Sequence, residues 1–123
     1  DSRTQEVSAI SRTCKSQSME MEIPLIGLSQ LNRNLETQNR KPALSDLRES
    51  GSIEQDADVV FLLDKEKELS PSKDVIRINL AKNRNGETGV VMVEFDKKLG
   101  RFSSYHEPVL HDAKAETSSQ PSW

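Results

Sequence analysis

An Asn85-Gly86 pair restricts the fold of this 123-residue chain more than any other feature. The pair stands between residues 74–82, where apolar and polar side chains alternate, and residues 89–98, which are rich in valine. An Asn-Gly pair between two such segments is a strong signal of a β-hairpin. The sequence therefore predicts an antiparallel hairpin in the second half of the chain.

Two continuous apolar runs come earlier in the sequence. IPLIGLSQL (23–31) begins beside the helix-breaking Pro24, and DVVFLL (58–63) is followed by a charged segment that contains Pro71 and predicts a loop. Short uninterrupted apolar runs are typical of buried parallel strands. The predicted fold class is therefore α/β, with parallel strands followed by an antiparallel β-hairpin.

Residues 2–21 have the spacing of an amphipathic helix. Val7, Ile10, Cys14 and Met21 are separated by three, four and seven residues, which places them on one helix face. Burial is the usual state of cysteine and methionine, so we expect Cys14 and Met21 to pack in the core.

Two short helices are predicted between the apolar runs. Ser45 can cap a helix over residues 46–49, and Gly51 interrupts it. Ser52 and Gln55 then match the Ser-x-x-Gln capping box, in which the two side chains bond the backbone at the start of a second helix.

Composition separates a body, residues 1–103, from a tail, residues 104–123. The tail has no apolar period and contains proline, serine and charged residues, so we expect it to be disordered. The net charge of −3 neither favours nor excludes a nucleic-acid partner. The single cysteine excludes a disulfide framework and fits a reducing cytoplasm, and no apolar run is long enough to cross a membrane.

Three polar clusters are candidates for a functional site, and the first is Ser29-Gln30. It falls at the carboxyl end of the predicted strand 23–31, the end at which open α/β sheets bind ligands. Gln30 is thus placed to sense a bound phosphate or water. The alternative is an amide that only satisfies the backbone of the following loop.

The second cluster is Arg48-Glu49-Ser50-Gly51-Ser52. A glycine beside a helix N-terminus leaves N–H groups that bind an anion such as a nucleic-acid phosphate, and Arg48 can add a charged hydrogen bond. An ordinary turn between two helices with a solvated arginine explains the same residues.

The third cluster is Lys82-x-Arg84, just before the hairpin turn. Two cations in alternate positions of a strand point the same way and can reach a triphosphate across a subunit interface. The alternative is a solvated basic edge that guards against aggregation.

Some catalytic motifs are absent from the sequence. It contains no Gly-x-x-x-x-Gly-Lys-Ser/Thr phosphate loop and no His/Cys spacing that predicts a metal site. We therefore expect that the chain alone cannot hydrolyse a nucleotide.

Five segments, covering residues 3 to about 102, resemble the DnaB family of replicative hexameric DNA helicases within the RecA-like ATPases. In order they are EVSAISR, IPLIGLSQLNR, LSDLRESGSIEQDADVVFLLD, AKNRNGETG and FDKKLGRF. The resemblance implies the C-terminal portion of a RecA-like P-loop motor domain. The P-loop, the catalytic glutamate, the Walker B aspartate and a primase-binding domain would lie upstream. That the chain begins at Asp1 rather than Met fits this expectation.

The resemblance also implies roles for the first two clusters. Gln30 matches the glutamine that couples nucleotide state to the DNA-facing loop. Arg48, Glu49 and Gly51 match the loop that lines the central channel and follows the single-stranded DNA backbone.

For the third cluster, the resemblance implies that Arg84 is an arginine finger and that Lys82 is its companion. Both would reach the nucleotide bound by the neighbouring subunit. Glu87 departs from the family, which often has proline there, and an acidic residue near the finger would weaken its field.

The cofactors implied are ATP and Mg²⁺, bound mainly by residues upstream. The implied partners are single-stranded DNA, five further copies in a homohexamer, a primase and a helicase loader, and the implied location is the bacterial cytoplasm near the nucleoid, or a plastid.

Two alternative functions stay open. Another RecA-like ATPase, such as a recombinase or repair paralogue, should lack RESGSIEQDAD, and a non-catalytic module would only bind or cap a ring.

Overall fold

The computed structural model describes residues 2–31, 38–50 and 52–107. It contains a long helix, two short helical segments and four strands. In chain order they are α1 (Ser2–Met21), a 3-10 helix (Leu44–Ser50), α2 (Ile53–Asp56), β1 (Val59–Ser70), β2 (Lys73–Asn83), β3 (Gly89–Asp96) and β4 (Arg101–Ser104). The predicted disordered tail falls largely on residues 108–123, which lie outside the described residues.

The four strands form one sheet in the order β1-β2-β3-β4, and each pairs antiparallel with the next. The predicted hairpin is confirmed as β2 and β3, in which Ile78 pairs with Val91 and Leu80 with Gly89. The predicted parallel strands are not found among the described residues. Since a two-residue turn joins β1 to β2, these neighbours have to run antiparallel.

Strand β1 is longer than predicted, because residues 64–70 continue it instead of forming a loop. In the order of the described sheet β1 has a neighbour on one side only, and the residues of its second half are mostly exposed. The part of an edge strand that has no buried face needs no apolar alternation, and lysine and glutamate are common on such edges. The apolar pattern therefore ends before the strand ends, and it predicts a strand that is too short.

Strand β4 was not predicted. It returns through a turn in which the Asp96 carboxylate accepts hydrogen bonds from the backbone N–H groups of Lys98, at 3.0 Å, and Leu99, at 3.2 Å. Gly100 closes the turn at φ +60°, a conformation that favours glycine. Phe102 then pairs with Phe95, with ring centroids 4.5 Å apart.

Residues 23–31 were predicted to form a buried strand, and this prediction is wrong for the structure described. The segment has no regular secondary structure, and Ile26 and Leu28 are 89% and 98% exposed. A strand forms only where a neighbour pairs with its backbone, and no described strand lies beside this segment. Its last residue, Leu31, packs against the core.

The core lies between the short helices and one face of β1 and β2. Leu47, Val60 and Leu62 are buried, with exposed fractions of 3–8%. Half-buried apolar side chains surround them, namely Leu31, Leu44, Ile53, Ala57 and Ala81. Burial of these side chains fastens residues 44–57 onto the sheet.

Helix α1 spans the predicted residues, but it is held by polar contacts. Ile10 and Met21 are 62% and 59% exposed, and Cys14 is half-buried, so the expected packing of Met21 in the core is wrong. The helix contacts α2 and the 3-10 helix, and Ser8, Ser11 and Lys15 lie on the stripe that faces them.

Candidate functional site

A β-bulge at the end of β2 sets the direction of the two basic side chains. Val60 pairs with Lys82, while the next residue, Phe61, pairs with Leu80, so Ala81 is an extra residue in β2. A bulge of this kind re-aims the side chains that follow it. Lys82 consequently shares the core side of the sheet with the buried Val60, whereas Leu80 shares the opposite side with the exposed Phe61.

The basic side chains after the bulge contact the end of α2. Lys82 Nζ donates to the carbonyl of Glu54 at 2.7 Å and to that of Gln55 at 3.4 Å. The Arg84 guanidinium donates to the same Gln55 carbonyl at 3.3 Å. Carbonyls in the last turn of a helix lack intrahelical donors, and cations are favourable there. The expectation that Lys82 and Arg84 point the same way is confirmed.

Asp58 binds both the side chain and the backbone of Arg84. The Arg84 Nη1 atom donates to Asp58 Oδ1 at 2.5 Å, and the Arg84 backbone N–H donates to the Asp58 carbonyl at 2.9 Å. Lys15 of α1 donates to both Asp58 carboxylate oxygens at 2.6 Å. The Lys15 hydrogen bond is the largest cause that lowers the pKa of Asp58, and the charges of Lys15, Arg84 and Lys82 add to it. Three cations therefore surround one carboxylate.

The site is open to solvent. About half of each side chain is exposed for Asp58 and Arg84. An open cleft of about 470 Å³ lies beside Lys82 and is lined by Leu44, Glu54, Gln55 and Lys82. A ligand can therefore approach Lys82 without displacing the core.

The predicted anion-binding cluster, residues 48–52, is described in part. The backbones of Arg48 and Glu49 form the end of the 3-10 helix, their side chains are outside the described part of the structure, and so is Gly51. The chain is anchored before the cluster by the buried Leu47. It is anchored again at the last residue of the cluster, Ser52, whose backbone N–H donates to Ser8 Oγ at 3.1 Å.

The predicted capping box at Ser52 does not form. Ser52 makes no side-chain cap bond, and its hydroxyl donates to Asp56 Oδ2 at 2.8 Å. Ser11 donates to the same oxygen at 2.7 Å, and these two hydrogen bonds lower the pKa of Asp56. A carboxylate one turn along α2 competes for the serine hydroxyl, because a charged acceptor forms the stronger hydrogen bond.

A second carboxylate holds the start of the 3-10 helix. The Arg40 guanidinium donates to both oxygens of Asp46, at 2.5 Å and 3.0 Å, and the backbone N–H of Ala43 donates to one of them at 2.7 Å. These bonds lower the pKa of Asp46 to about 2. Lys41 also pairs with Glu66 of β1, so the approach to residues 48–52 is tied to the sheet.

Gln30 lies apart from these contacts. It is exposed and belongs to the segment that forms no strand, and its carbonyl accepts a 3.4 Å hydrogen bond from the Ser29 hydroxyl. The contacts described for the chain bring Lys82 and Arg84 together but do not bring Gln30 to them. Glu87 lies in the hairpin turn, where its carbonyl accepts a hydrogen bond from the Asn83 side chain.

Within residues 2–31, 38–50 and 52–107, no group of three or more His, Cys, Asp or Glu side chains is placed to hold a metal ion. None of the helices in the same ranges is long and apolar enough to cross a membrane.

The family model of the DnaB-like helicase C-terminal domain matches residues 1–104. The chain belongs to this family. A replicative DNA helicase DnaB of Geobacillus stearothermophilus is 48% identical over 106 residues, and the replicative DNA helicase DnaC of Bacillus subtilis is 50% identical over 109 residues. Each match covers 83% of this chain and 23% of the relative, so the chain spans about a quarter of the length of the curated relatives it matches.

Solved structures of related proteins have a similar fold. One of them, described as an ATPase domain, has a TM-score of 0.76 and 42% identity, and the match covers 86% of this chain and 39% of that one. A DnaB-like replicative helicase, described with its interactions with primase, also has a TM-score of 0.76, with 38% identity and coverage of 86% and 27%.

Two residues of this DnaB-like site were missed in the sequence. Lys15 was assigned only to a helix, and Asp58 only to the start of a strand. They are separated by 43 residues, so no local spacing links them. The one available signal was an acidic residue directly before the apolar run 59–63.

Proposed function

We propose that this chain is the C-terminal part of the motor domain of an ATP-dependent replicative DNA helicase subunit. The complete protein would assemble as a homohexameric ring that translocates along single-stranded DNA and unwinds the duplex at the replication fork. The observation that carries the proposal is the family match over residues 1–104, together with curated relatives named as replicative DNA helicases.

The contacts at the end of β2 support an arginine-finger role for Arg84. Guanidinium has five N–H donors in a rigid fork, and the contacts to Asp58 and Gln55 use two of them. With its side chain about half exposed, Arg84 keeps donors for an anion. In the ring these donors would bind the γ-phosphate in the neighbouring subunit and stabilise the charge of the transition state, an effect of roughly 10³–10⁵ on turnover.

Lys82 suits the companion role. It is a compact point charge, and its ammonium is held at the Glu54 carbonyl, next to the guanidinium of Arg84. Two adjacent cations of different shape can bind separate oxygens of one triphosphate. We therefore propose that both residues bind the nucleotide and act in its hydrolysis.

We further propose that Arg48, Glu49 and Gly51 form the DNA-binding loop. Its anchors support this role, since Leu47 on one side and Ser52 on the other fix the ends of a short segment. Backbone N–H groups supply phosphate contacts without added charge, which suits a chain with a net charge of −3. Arg48 adds one charged contact to the strand.

The remaining roles come from family membership. We propose that Gln30 couples nucleotide state to the DNA-binding loop, and that a primase and a helicase loader are partners, as one structural neighbour is described with primase. ATP would be the substrate and Mg²⁺ its metal. The described residues place no group of three metal-ligating side chains together, so they do not form the Mg²⁺ site by themselves.

Arg84→Ala in the full-length protein tests the finger role. We expect ATP turnover to fall by roughly 10³-fold or more, because charge stabilisation in the transition state is lost. Nucleotide binding, measured with a fluorescent ATP analogue, should change little, since most of the phosphate contacts lie elsewhere. Arg101→Ala, which removes an exposed arginine at the start of β4, is the matched control. Unchanged turnover, or an equal loss of binding and turnover, would contradict the finger role.

A further inference from the structure

We propose that Asp58 is the positioning residue of Arg84, and that Lys15 holds Asp58 in the orientation this task requires. The inference rests on the proposed role of Arg84 as the finger. It assigns a function to Asp58, directly before β1, and to Lys15 in α1, neither of which is given an individual role by the sequence motifs or the family match.

Arg84 needs positioning because of where it stands. It follows the last residue of β2, and its side chain is about half exposed. An exposed arginine samples many rotamers, and ordering it for each reaction costs entropy. Asp58 reduces this freedom at both ends, since its carbonyl accepts the backbone N–H at 2.9 Å and its carboxylate accepts the guanidinium at 2.5 Å.

The contacts of Asp58 and Gln55 hold the Arg84 guanidinium in one orientation before a ligand binds. Asp58 binds Nη1 while the Gln55 carbonyl binds Nη2, so the planar fork is held at two of its nitrogens. Two contacts define the plane of the guanidinium, whereas one would leave it free to rotate. The donors that remain can then meet a phosphate with little rearrangement.

Lys15 offsets the negative charge that Asp58 places beside Arg84. A carboxylate paired with Arg84 alone would cancel its charge and weaken its attraction for an anion. Lys15 contacts both Asp58 oxygens at 2.6 Å, so the three groups together carry a net charge of +1. Lys15 thereby anchors the carboxylate to α1 and keeps the local charge positive.

Asp58→Asn tests this assignment in the full-length hexamer. The substitution keeps the shape of the side chain and removes its charge. We expect kcat for ATP to fall roughly 10- to 100-fold, as for a displaced catalytic group. The KM for ATP should change by less than about twofold, because the interaction lost is made in the transition state. Glu94→Gln, which removes the 3.0 Å Lys73–Glu94 pair on β2 and β3, is the matched control and should keep the parent kcat.

Lys15 provides an independent arm of the test, which remains informative if Asp58→Asn fails to fold. Lys15→Met should lower kcat in the same direction and by a smaller factor, because Asp58 stays but loses its anchor. Lys15→Arg restores a cation with several donors and should recover most of the parent rate. A parent-like kcat in Lys15→Met, or no recovery in Lys15→Arg, would overturn the role of Lys15.

Single-turnover rates separate positioning from a structural role. If Asp58 acts through Arg84, adding Asp58→Asn to the Arg84→Ala variant produces no further loss. An equal loss in both backgrounds, or a parent-like kcat in Asp58→Asn alone, would overturn the inference while the finger role stands. Turnover that survives in Arg84→Ala alone would overturn the finger role itself, so the two failures are distinguishable.

Discussion

Truncating Leu47 should loosen the segment that leads into the proposed DNA-binding loop. Leu47 is 4% exposed and packs with Val60 and Leu62, and it is followed directly by Arg48. Leu47→Ala removes this contact without touching the loop itself. The perturbation therefore measures how strongly the core fastens residues 44–57 to the sheet.

The expected cost follows from the burial around Leu47. Removing the outer carbons of a buried leucine forfeits about 2 kcal/mol of transfer free energy, and the cavity left behind adds to this. Two of its neighbours, Leu44 and Ile53, are only half-buried and can move into the space. We therefore expect a loss of about 2–3 kcal/mol, near the low end for leucine truncation.

Amide hydrogen exchange of peptides that cover residues 44–57 measures this loss locally. A cost of 2–3 kcal/mol corresponds to a roughly 30- to 150-fold fall in protection. Leu99→Ala is the matched control, since Leu99 is 66% exposed in the turn before β4, and its effect should stay within about 0.5 kcal/mol. If Leu47→Ala lowers protection no more than Leu99→Ala does, the core does not hold the loop and the reasoning is refuted.

Two further variants test the loop and its approach. Asp46→Asn should lower the thermal midpoint most at neutral pH, because the depressed pKa of Asp46, about 2 against an ordinary 3.8, gives stabilisation that is present above the ordinary value and lost as the pH falls towards 2. Calorimetry from pH 7 to pH 2 should show the gap to the parent closing, and a constant gap would contradict the Arg40–Asp46 contact as its cause. Arg48→Ala should lower DNA-stimulated ATP hydrolysis more than basal hydrolysis, and an equal fall in both would indicate a structural role for Arg48.

Features with a local cause were predictable from the sequence. The spacing over residues 2–21 predicted α1, and Asn85-Gly86 predicted the β2–β3 hairpin. The hairpin is closed by residues 84–88, and neither Asn85 nor Gly86 has a positive φ, so the pair predicted the place of the turn but not its type. Lys82 and Arg84 were predicted to project together, and they do so.

Features that depend on distant neighbours were not predictable. Residues 23–31 have the composition of a buried strand, but composition cannot supply the partner strand that such a segment needs. Residues 64–70 form a strand without apolar alternation, because this part of β1 pairs with one neighbouring strand and does not pack against a core. The Lys15–Asp58–Arg84 contacts join three elements that are far apart in the chain, so they emerge only from the fold.

The extra residue in β2 gives the strand two phases of alternation. Up to Leu80, the even-numbered side chains of β2 lie on the same side of the sheet as Phe61. Beyond Ala81, the even-numbered side chains lie on the same side as Val60. Deleting Ala81 would leave Lys82 directly after Leu80 and still opposite Val60, on the core side of the sheet. Straightening the bulge at unchanged length would instead carry Lys82 and Arg84 through to the opposite surface, away from the carbonyls of α2. The bulge therefore decides which surface carries the two cations, and an alignment gap of one residue between Leu80 and Lys82 would be compatible with function.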